Sequence, residues 1–159
     1  MRNIGGNIME ASHINCVLGA INTIMPQIGV SKIDKKGLSV KPREIKANGI
    51  SIVISLVGDV SGNIIYIMKD EDAKKIASKM MMGMEVNNLD NMSKSALSEM
   101  VNMVTGNVAT NFSNINVNVD ISPPTLFHGD TTIDVNNDQV ISLIMQLDDC
   151  IMDINVSLK

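Results

Sequence analysis

One short segment of the chain carries polar residues at a spacing that can do chemistry. Ser95, Glu99, Asn102 and Gly106 follow one another at steps of four, three and four residues. On a helix that advances about 100° per residue, these positions fall within a sector of roughly 60° and form one stripe. The Glu99 carboxylate and the Asn102 carboxamide are then neighbours, and together they can bracket a phosphate and a water molecule.

The element that must carry this stripe is a long helix. The pattern predicts a helix over residues 90–112, after a polar linker at residues 85–88. Its apolar positions lie opposite the stripe and are Leu97, Met100, Val101, Met103, Val104, Val108 and Phe112. The stripe is therefore expected to meet solvent or a partner. Gly106 favours a partner, because a glycine inside a helix costs about 1 kcal/mol relative to alanine and suggests close approach by another molecule.

The Glu-Asn pair alone does not define a function, since such pairs are common on exposed helices. The rest of the chain offers no P-loop, no nucleophile elbow and no Cys/His nucleophile pattern. Cys16 and Cys150 lack CxxC spacing, and His13 and His128 have no second ligand at metal-site intervals. These absences favour a protein that acts on a partner protein.

Composition narrows the class further. A chain of 159 residues, 45% hydrophobic and 19% charged, predicts a single globular domain over residues 1–159. The net charge of -4 argues against nucleic-acid binding. The N-terminal sequence lacks the apolar region of a secretory signal, and no apolar run approaches the length of about 18 residues that a membrane span needs. A cytoplasmic protein with no membrane partner is expected.

The first half of the chain predicts two helices and a hairpin. An apolar stripe indicates a helix over residues 9–25, which Pro26 and Gly29 end. Residues 32–46 can hold at most a short edge strand, whereas residues 49–57 and 63–68 predict a hairpin. A helix then begins at Asp70 and can be capped by Gly83. Its buried face is predicted to hold Ala73, Ile76, Ala77, Met80 and Met81, and its solvated face Lys74, Lys75 and Lys79.

The second half is rich in strands. Residues 117–121 predict a strand that Pro123 and Pro124 stop, because proline cannot donate a ladder hydrogen bond. Further strands are predicted at residues 131–135, 139–147 and 151–158, and the last two should pair as a hairpin across Asp148 and Asp149. There is no regular strand-helix-strand alternation, so the predicted class is α+β with helices packed on a mostly antiparallel sheet.

The segment SALSEMVNMVTGN, residues 95–107, resembles the active helix of the CheC, CheX and FliY phosphatases. That pattern is Ser or Asp, three residues, Glu, two residues, Asn, three residues, Gly, and every specified position is met. The hairpin GISIVISLVGDVSGNIIYIM, the linker MMMGMEVNNLD and the block VDISPPTLFHGD also look like CheX, in the right order. CheC and FliY usually repeat the motif on the first helix, but here Glu10 is followed three residues later by His13. One active helix is the CheX arrangement.

The resemblance implies an α+β fold with internal pseudo-twofold symmetry, a homodimer, and phosphatase activity toward the aspartyl phosphate of a CheY-like response regulator. Such a regulator brings its own Mg²⁺ and a phosphate-contacting Lys, so no cofactor is expected in this chain. In this reading Asn102 orients the attacking water and Glu99 docks against the regulator's Lys. Ser95 and Gly106 shape the partner-binding surface.

Two other functions remain open. The chain is alternatively a non-catalytic adaptor that binds a response regulator or a CheD-like partner. It is also conceivable as a structural part of a flagellar switch like FliY, although the sequence shows no appended switch-binding domain. Phosphate release from a phosphorylated regulator separates the phosphatase from both.

Overall fold

The computed structural model describes residues 11–137 and 139–159. Three α-helices lie in this part of the chain: α1 (Ala11–Ile24), α2 (Asp70–Met80) and α3 (Asn91–Ser113). The strands there are β1 (Ile33–Lys41), β2 (Glu44–Ala47), β3 (Ile50–Gly58), β4 (Gly62–Met68), β5 (Val119–Ile121), β6 (Thr125–His128), β7 (Thr131–Asp134), β8 (Val140–Leu147) and β9 (Cys150–Leu158). The predicted first helix is confirmed from Ala11 onward, and its residues 9 and 10 lie outside the described residues. None of these helices has the length and apolar character to cross a membrane.

Seven strands form one antiparallel sheet in the order β1-β8-β9-β4-β3-β5, and β6 also pairs with β3. A second sheet of two strands joins β2 to β7. The two predicted hairpins, β3 with β4 and β8 with β9, are both present, and the second turns at Asp148 and Asp149. The predicted α+β class, with helices on a mostly antiparallel sheet, is confirmed.

The main sheet buries both of its faces, because successive side chains of a strand point to opposite sides. One face packs against all three helices, and β3 contributes to it Ile50, Ile52, Ile54 and Leu56. The other face packs against the small sheet through a cluster that includes Val53, Ile65, Val140, Ile45 and Val135. The helices therefore lie on one side of the main sheet and the β2-β7 pair on the other.

The strand order reads the same from both ends when the two halves of the chain are matched. The matching pairs α1 with α3, β1 with β6, β2 with β7, β3 with β8, and β4 with β9. When each strand in the order β1-β8-β9-β4-β3-β6 is replaced by its match, the same order results, read from the other end. The matching also places a pseudo-twofold axis between β4 and β9, and it relates α1 to α3, which pack against each other. The topology thus contains the internal symmetry that the resemblance implied.

Two parts of the sheet differ from the sequence prediction. Residues 32–46 hold not one short strand but two strands, and β1 pairs with β8 from Ile33 to Lys41. It does lie at the sheet edge, as predicted. The strand β6 was not predicted, because Pro123 and Pro124 were expected to end strand structure there. Both strands are fixed by pairing with partners distant in sequence rather than by an alternating pattern of their own.

The lysines of α2 do more than face solvent, which was their predicted role. Lys75 Nζ lies 2.8 Å from Asp149 Oδ2, and Lys79 Nζ lies 3.2 Å from Asp148 Oδ2. Both aspartates form the β8-β9 turn, so α2 is tied to that hairpin. The C-cap of this helix is Met81 and not the predicted Gly83. Met82 then takes the left-handed conformation with φ of 59°, and the Gly83 N–H completes the capping turn by donating to Ser78 O at 2.8 Å.

One buried hydrogen bond joins α3 to the sheet. Tyr66 of β4 and Thr105 of α3 are both fully buried, and their hydroxyl oxygens are 2.8 Å apart. Thr105 Oγ1 donates to Val101 O at 2.8 Å, so the Tyr66 hydroxyl is the donor between the two side chains. Burial raises the pKa of Tyr66 well above its usual range, which keeps the phenol protonated.

This geometry predicts that the two partners respond unequally to mutation. Tyr66→Phe removes the donor and leaves Thr105 bonded to Val101, so it should lower the free energy of unfolding by about 1 kcal/mol. Thr105→Val leaves the Tyr66 O–H buried without an acceptor and should cost about 2 kcal/mol. Urea unfolding of both variants measures the difference. Equal costs, or a larger cost for Tyr66→Phe, would contradict the assigned direction of the bond.

Candidate functional site

The helix that carries the candidate site begins at a well-formed cap. Asp90 Oδ1 accepts hydrogen bonds from Ser93 N and from Ser93 Oγ, each at 2.9 Å. The bond from Ser93 N satisfies a backbone donor that the first turn of a helix otherwise leaves free. The backbone bond from Ser93 is the main reason that the pKa of Asp90 lies below its usual value. The predicted start near residue 90 is confirmed, with Asp90 as the capping residue.

From Asn91 the helix runs without a break to Ser113. Ser95, Glu99 and Asn102 are exposed on one side, and Gly106 is partly exposed. On the opposite side the predicted apolar positions are fully buried except Met103, which is partly buried. The prediction that Glu99 and Asn102 project to solvent from a continuous helix is confirmed.

The exposed stripe forms one wall of an open groove of about 540 Å³. The helix contributes Asn91, Lys94, Ser95, Ser98, Glu99 and Asn102. The facing wall is built by Pro124, in the link between β5 and β6, and by Leu126 of β6. The structure thus brings Ser95, Glu99 and Asn102 together, whereas Gly106 does not line the groove.

Sequence reasoning missed the second wall and part of the first. Ser98 and Lys94 flank the stripe on the helical wheel, so a wider sector would have included them. Pro124 and Leu126 carried no such signal, because their place beside α3 depends on the pairing of β6 with β3, where Leu126 faces Ile52. They fall within the block VDISPPTLFHGD, which the family resemblance alone singled out.

The two key side chains have no partner within residues 11–137 and 139–159. No hydrogen bond or ion pair to the Glu99 carboxylate or the Asn102 carboxamide is found there. Glu99 offers an anionic acceptor, and Asn102 offers both a donor and an acceptor without a charge. The pair is therefore available to a cationic group and to a polar molecule such as water.

The histidines and cysteines, the other residue types that could do chemistry, do not line the groove. His13 stacks edge-on against Phe112, with ring centroids 5.4 Å apart, and His128 Nε2 lies 3.2 Å from Asp70 Oδ1. Cys16 and Cys150 are buried, and neither forms a disulfide. Among the described residues, no group of three or more His, Cys, Asp or Glu side chains could hold a metal ion.

The fold and the motif identify a class of protein, and sequence comparison agrees. Residues 50–146 match the family model described as chemotaxis phosphatase CheX. The chain is also 35% identical over 122 residues to the CheY-P phosphatase CheX of Thermotoga maritima. The aligned residues cover 76% of this chain and 78% of that protein. The chain belongs to the CheX family of chemotaxis phosphatases, and the predicted enzyme class is confirmed.

Solved structures confirm the fold. A CheC-like superfamily protein from Shewanella sp. PV-4 superposes with a TM-score of 0.83 at 20% identity, covering 95% of this chain and 99% of that one. The CheX-CheY-BeF3-Mg complex from Borrelia burgdorferi contains a chain that superposes with a TM-score of 0.73 at 22% identity, covering 93% of this chain and 96% of that chain.

The surroundings of Gly106 predict a stabilising substitution. A Cβ atom placed on this glycine would meet no atom within 4 Å beyond its chain neighbours and the backbone of the same helix, so no packing contact among the described residues requires glycine there. Gly106→Ala should raise the free energy of unfolding by about 0.5–1 kcal/mol, because alanine loses less backbone entropy in a helix. Urea unfolding checks this. A destabilised variant would show that the chain itself needs the glycine.

The cap at Asp90 predicts a change with pH. Because its pKa is lowered by folding, the Asp90 carboxylate stabilises the fold above the unfolded pKa of about 3.9, and this contribution is lost as pH falls through the folded pKa. Asp90→Asn keeps a good capping residue that does not titrate. The difference in melting temperature, variant minus wild type, should therefore be more positive at pH 3 than at pH 7. A difference independent of pH would contradict the assignment.

Proposed function

We propose that this chain hydrolyses the aspartyl phosphate of a CheY-like response regulator with Glu99 and Asn102 of α3. The observation that carries the proposal is the exposed Glu99-Asn102 pair, free of partners among the described residues, on the motif helix of a CheX family member. Two comparisons support the substrate: the T. maritima relative is named a CheY-P phosphatase, and the Borrelia structure is a CheX-CheY complex.

In this proposal Asn102 positions the water. Phosphoryl transfer passes through a loose transition state, so holding a water in line with the phosphorus supplies much of the rate gain without a strong base. The water oxygen forms a bond to phosphorus as the bond to the aspartyl oxygen breaks. The products are inorganic phosphate and a free aspartate carboxylate. The carboxamide of Asn102 can hold that water without adding negative charge beside the phosphoryl group.

Glu99 has a different role. A carboxylate close to a phosphoryl group is repelled unless it faces a cation, and the regulator's phosphate-contacting Lys is such a cation. Glu99 then docks and orients the regulator through an ion pair. Two further residues of α3 shape the contact surface. Ser95 is exposed on the side of Glu99 nearer the start of the helix, and Gly106 follows Asn102 by four residues. Mg²⁺ is supplied by the regulator.

We also propose a homodimer. The observation that supports it is β1, which lies at the edge of the main sheet and exposes Leu38 and Val40, 54% and 64% accessible. Edge strands with exposed apolar residues are usually covered by another element or chain. A CheD-like partner, a cytoplasmic location and a single domain over residues 1–159 stay predictions.

Kinetics of two variants test the proposed roles. Asn102→Ala should bind phosphorylated regulator nearly normally and lose turnover by about 100-fold or more, because positioning of the water is lost. Glu99→Ala should weaken both binding and turnover, and its affinity should depend less on added salt than that of wild type. Phosphate release and binding are measured for each.

Asn15→Ala is the matched control, since Asn15 is an exposed asparagine on α1. It should leave both parameters unchanged. All three variants should melt within a few degrees of wild type, because none of these side chains supports the core. Wild-type phosphate release by Asn102→Ala would refute the role of Asn102. Binding by wild type without phosphate release would favour the adaptor function.

A further inference from the structure

The groove is asymmetric about the Glu99-Asn102 stripe. Asn91, Lys94 and Ser98 lie on one side of the stripe and line the groove, whereas Met92 and Met103, on the other side, do not. The wall made by Pro124 and Leu126 therefore stands on the Lys94 side of the helix. Glu99 lies toward the open side.

Lys94 is the cation of this groove. Among the described residues that line it, Lys94 is the only basic one and Glu99 the only acidic one. The two are five residues apart, hence about 140° apart on the helix, too far round to pair with each other. The acid best placed to pair with Lys94 is Asp90, four residues earlier, but its carboxylate is bonded to Ser93. Within residues 11–137 and 139–159 the Lys94 ammonium has no ion-pair partner.

An unpaired cation beside an apolar wall suits a partner with an acidic rim. A protein that holds Mg²⁺ at its phosphorylation site must place carboxylates there, because oxygen ligands bind Mg²⁺. Approach of such an acidic site to a chain of net charge -4 is unfavourable unless a local positive charge meets it. Lys94 is the basic residue in the groove that can do so, and Pro124 and Leu126 offer apolar surface next to it.

We infer that Lys94, with the Pro124-Leu126 wall, is the docking surface for the acidic rim of the phosphorylated regulator. Glu99 then forms an ion pair with the regulator's Lys on the open side of the groove, and Lys94 forms an ion pair with a carboxylate of the regulator on the side of the Pro124-Leu126 wall. Two opposite charges on either side of Asn102 fix one orientation of the partner. This inference rests on the proposed phosphatase function and adds a specificity-determining residue to it.

The test is steady-state dephosphorylation of an acetyl-phosphate-loaded response regulator at two salt concentrations. Lys94→Glu should raise KM by about five- to tenfold and change kcat by less than twofold, because the lysine docks the partner and does not contact the reacting atoms. The dependence of KM on salt should weaken or reverse. Lys94→Arg keeps the charge and should stay within twofold of wild type. Lys94→Gln should give an intermediate KM and serves if Lys94→Glu does not fold.

Lys46→Glu is the matched control, because Lys46 is an exposed lysine on β2, on the opposite side of the main sheet from α3. It makes the same change of net charge and should leave KM within twofold of wild type. An equal rise in KM for Lys46→Glu would show an effect of net charge alone and overturn the inference. An unchanged KM for Lys94→Glu, or a decrease in kcat of this variant without a rise in KM, would also overturn the inference. Absence of turnover by wild type would instead refute the proposed function itself.

Discussion

The whole structure depends on how α3 is seated on the sheet. One side of the helix is buried at every turn from Leu97 to Phe112, and the buried Tyr66-Thr105 bond joins that side to β4. A helix held in this way must present its opposite side at a defined angle. Because the stripe positions lie on that opposite side, Glu99 and Asn102 face outward as a direct consequence of the packing. The Glu99-Asn102 pair therefore needs no loop to position it.

Symmetry of the scaffold does not extend to the site. The pseudo-twofold relation matches α1 to α3, and the two helices pack side by side on one face of the sheet. On α3 the motif is complete, whereas on α1 the residue three positions after Glu10 is His13, which is buried against Phe112. Within the described part of α1, His13 therefore belongs to the core that supports α3 and not to a second exposed motif. A nearly symmetric frame therefore carries the complete motif on α3 alone among its described helices.

Periodicity in the sequence predicted the helices, the two hairpins and the direction in which the stripe faces. Each of these depends on local patterns: apolar residues at helical spacing, or alternation along a strand. The sequence predicted only a short edge strand in place of β1, and it missed β6, because pairing with β8 and β3 imposes the length of the one and the existence of the other. Pro123 and Pro124 were correctly placed outside a strand, but the chain resumes pairing with β3 at Thr125. The groove wall made by Pro124 and Leu126 was not predicted for the same reason, since its position depends on the pairing of β6 with β3.

In the proposed function, the outward face of α3 enters the phosphorylation site of a response regulator. The most direct test is NMR of the isotope-labelled protein titrated with a response regulator held in its active form by beryllofluoride and Mg²⁺. The resonances of the Asn102 side-chain amide and of the Gly106 backbone amide should shift with the bound fraction, while those of the β2 amides stay unchanged. Shifts confined to other surfaces, such as the β1 edge or α2, with Asn102 unaffected, would contradict it.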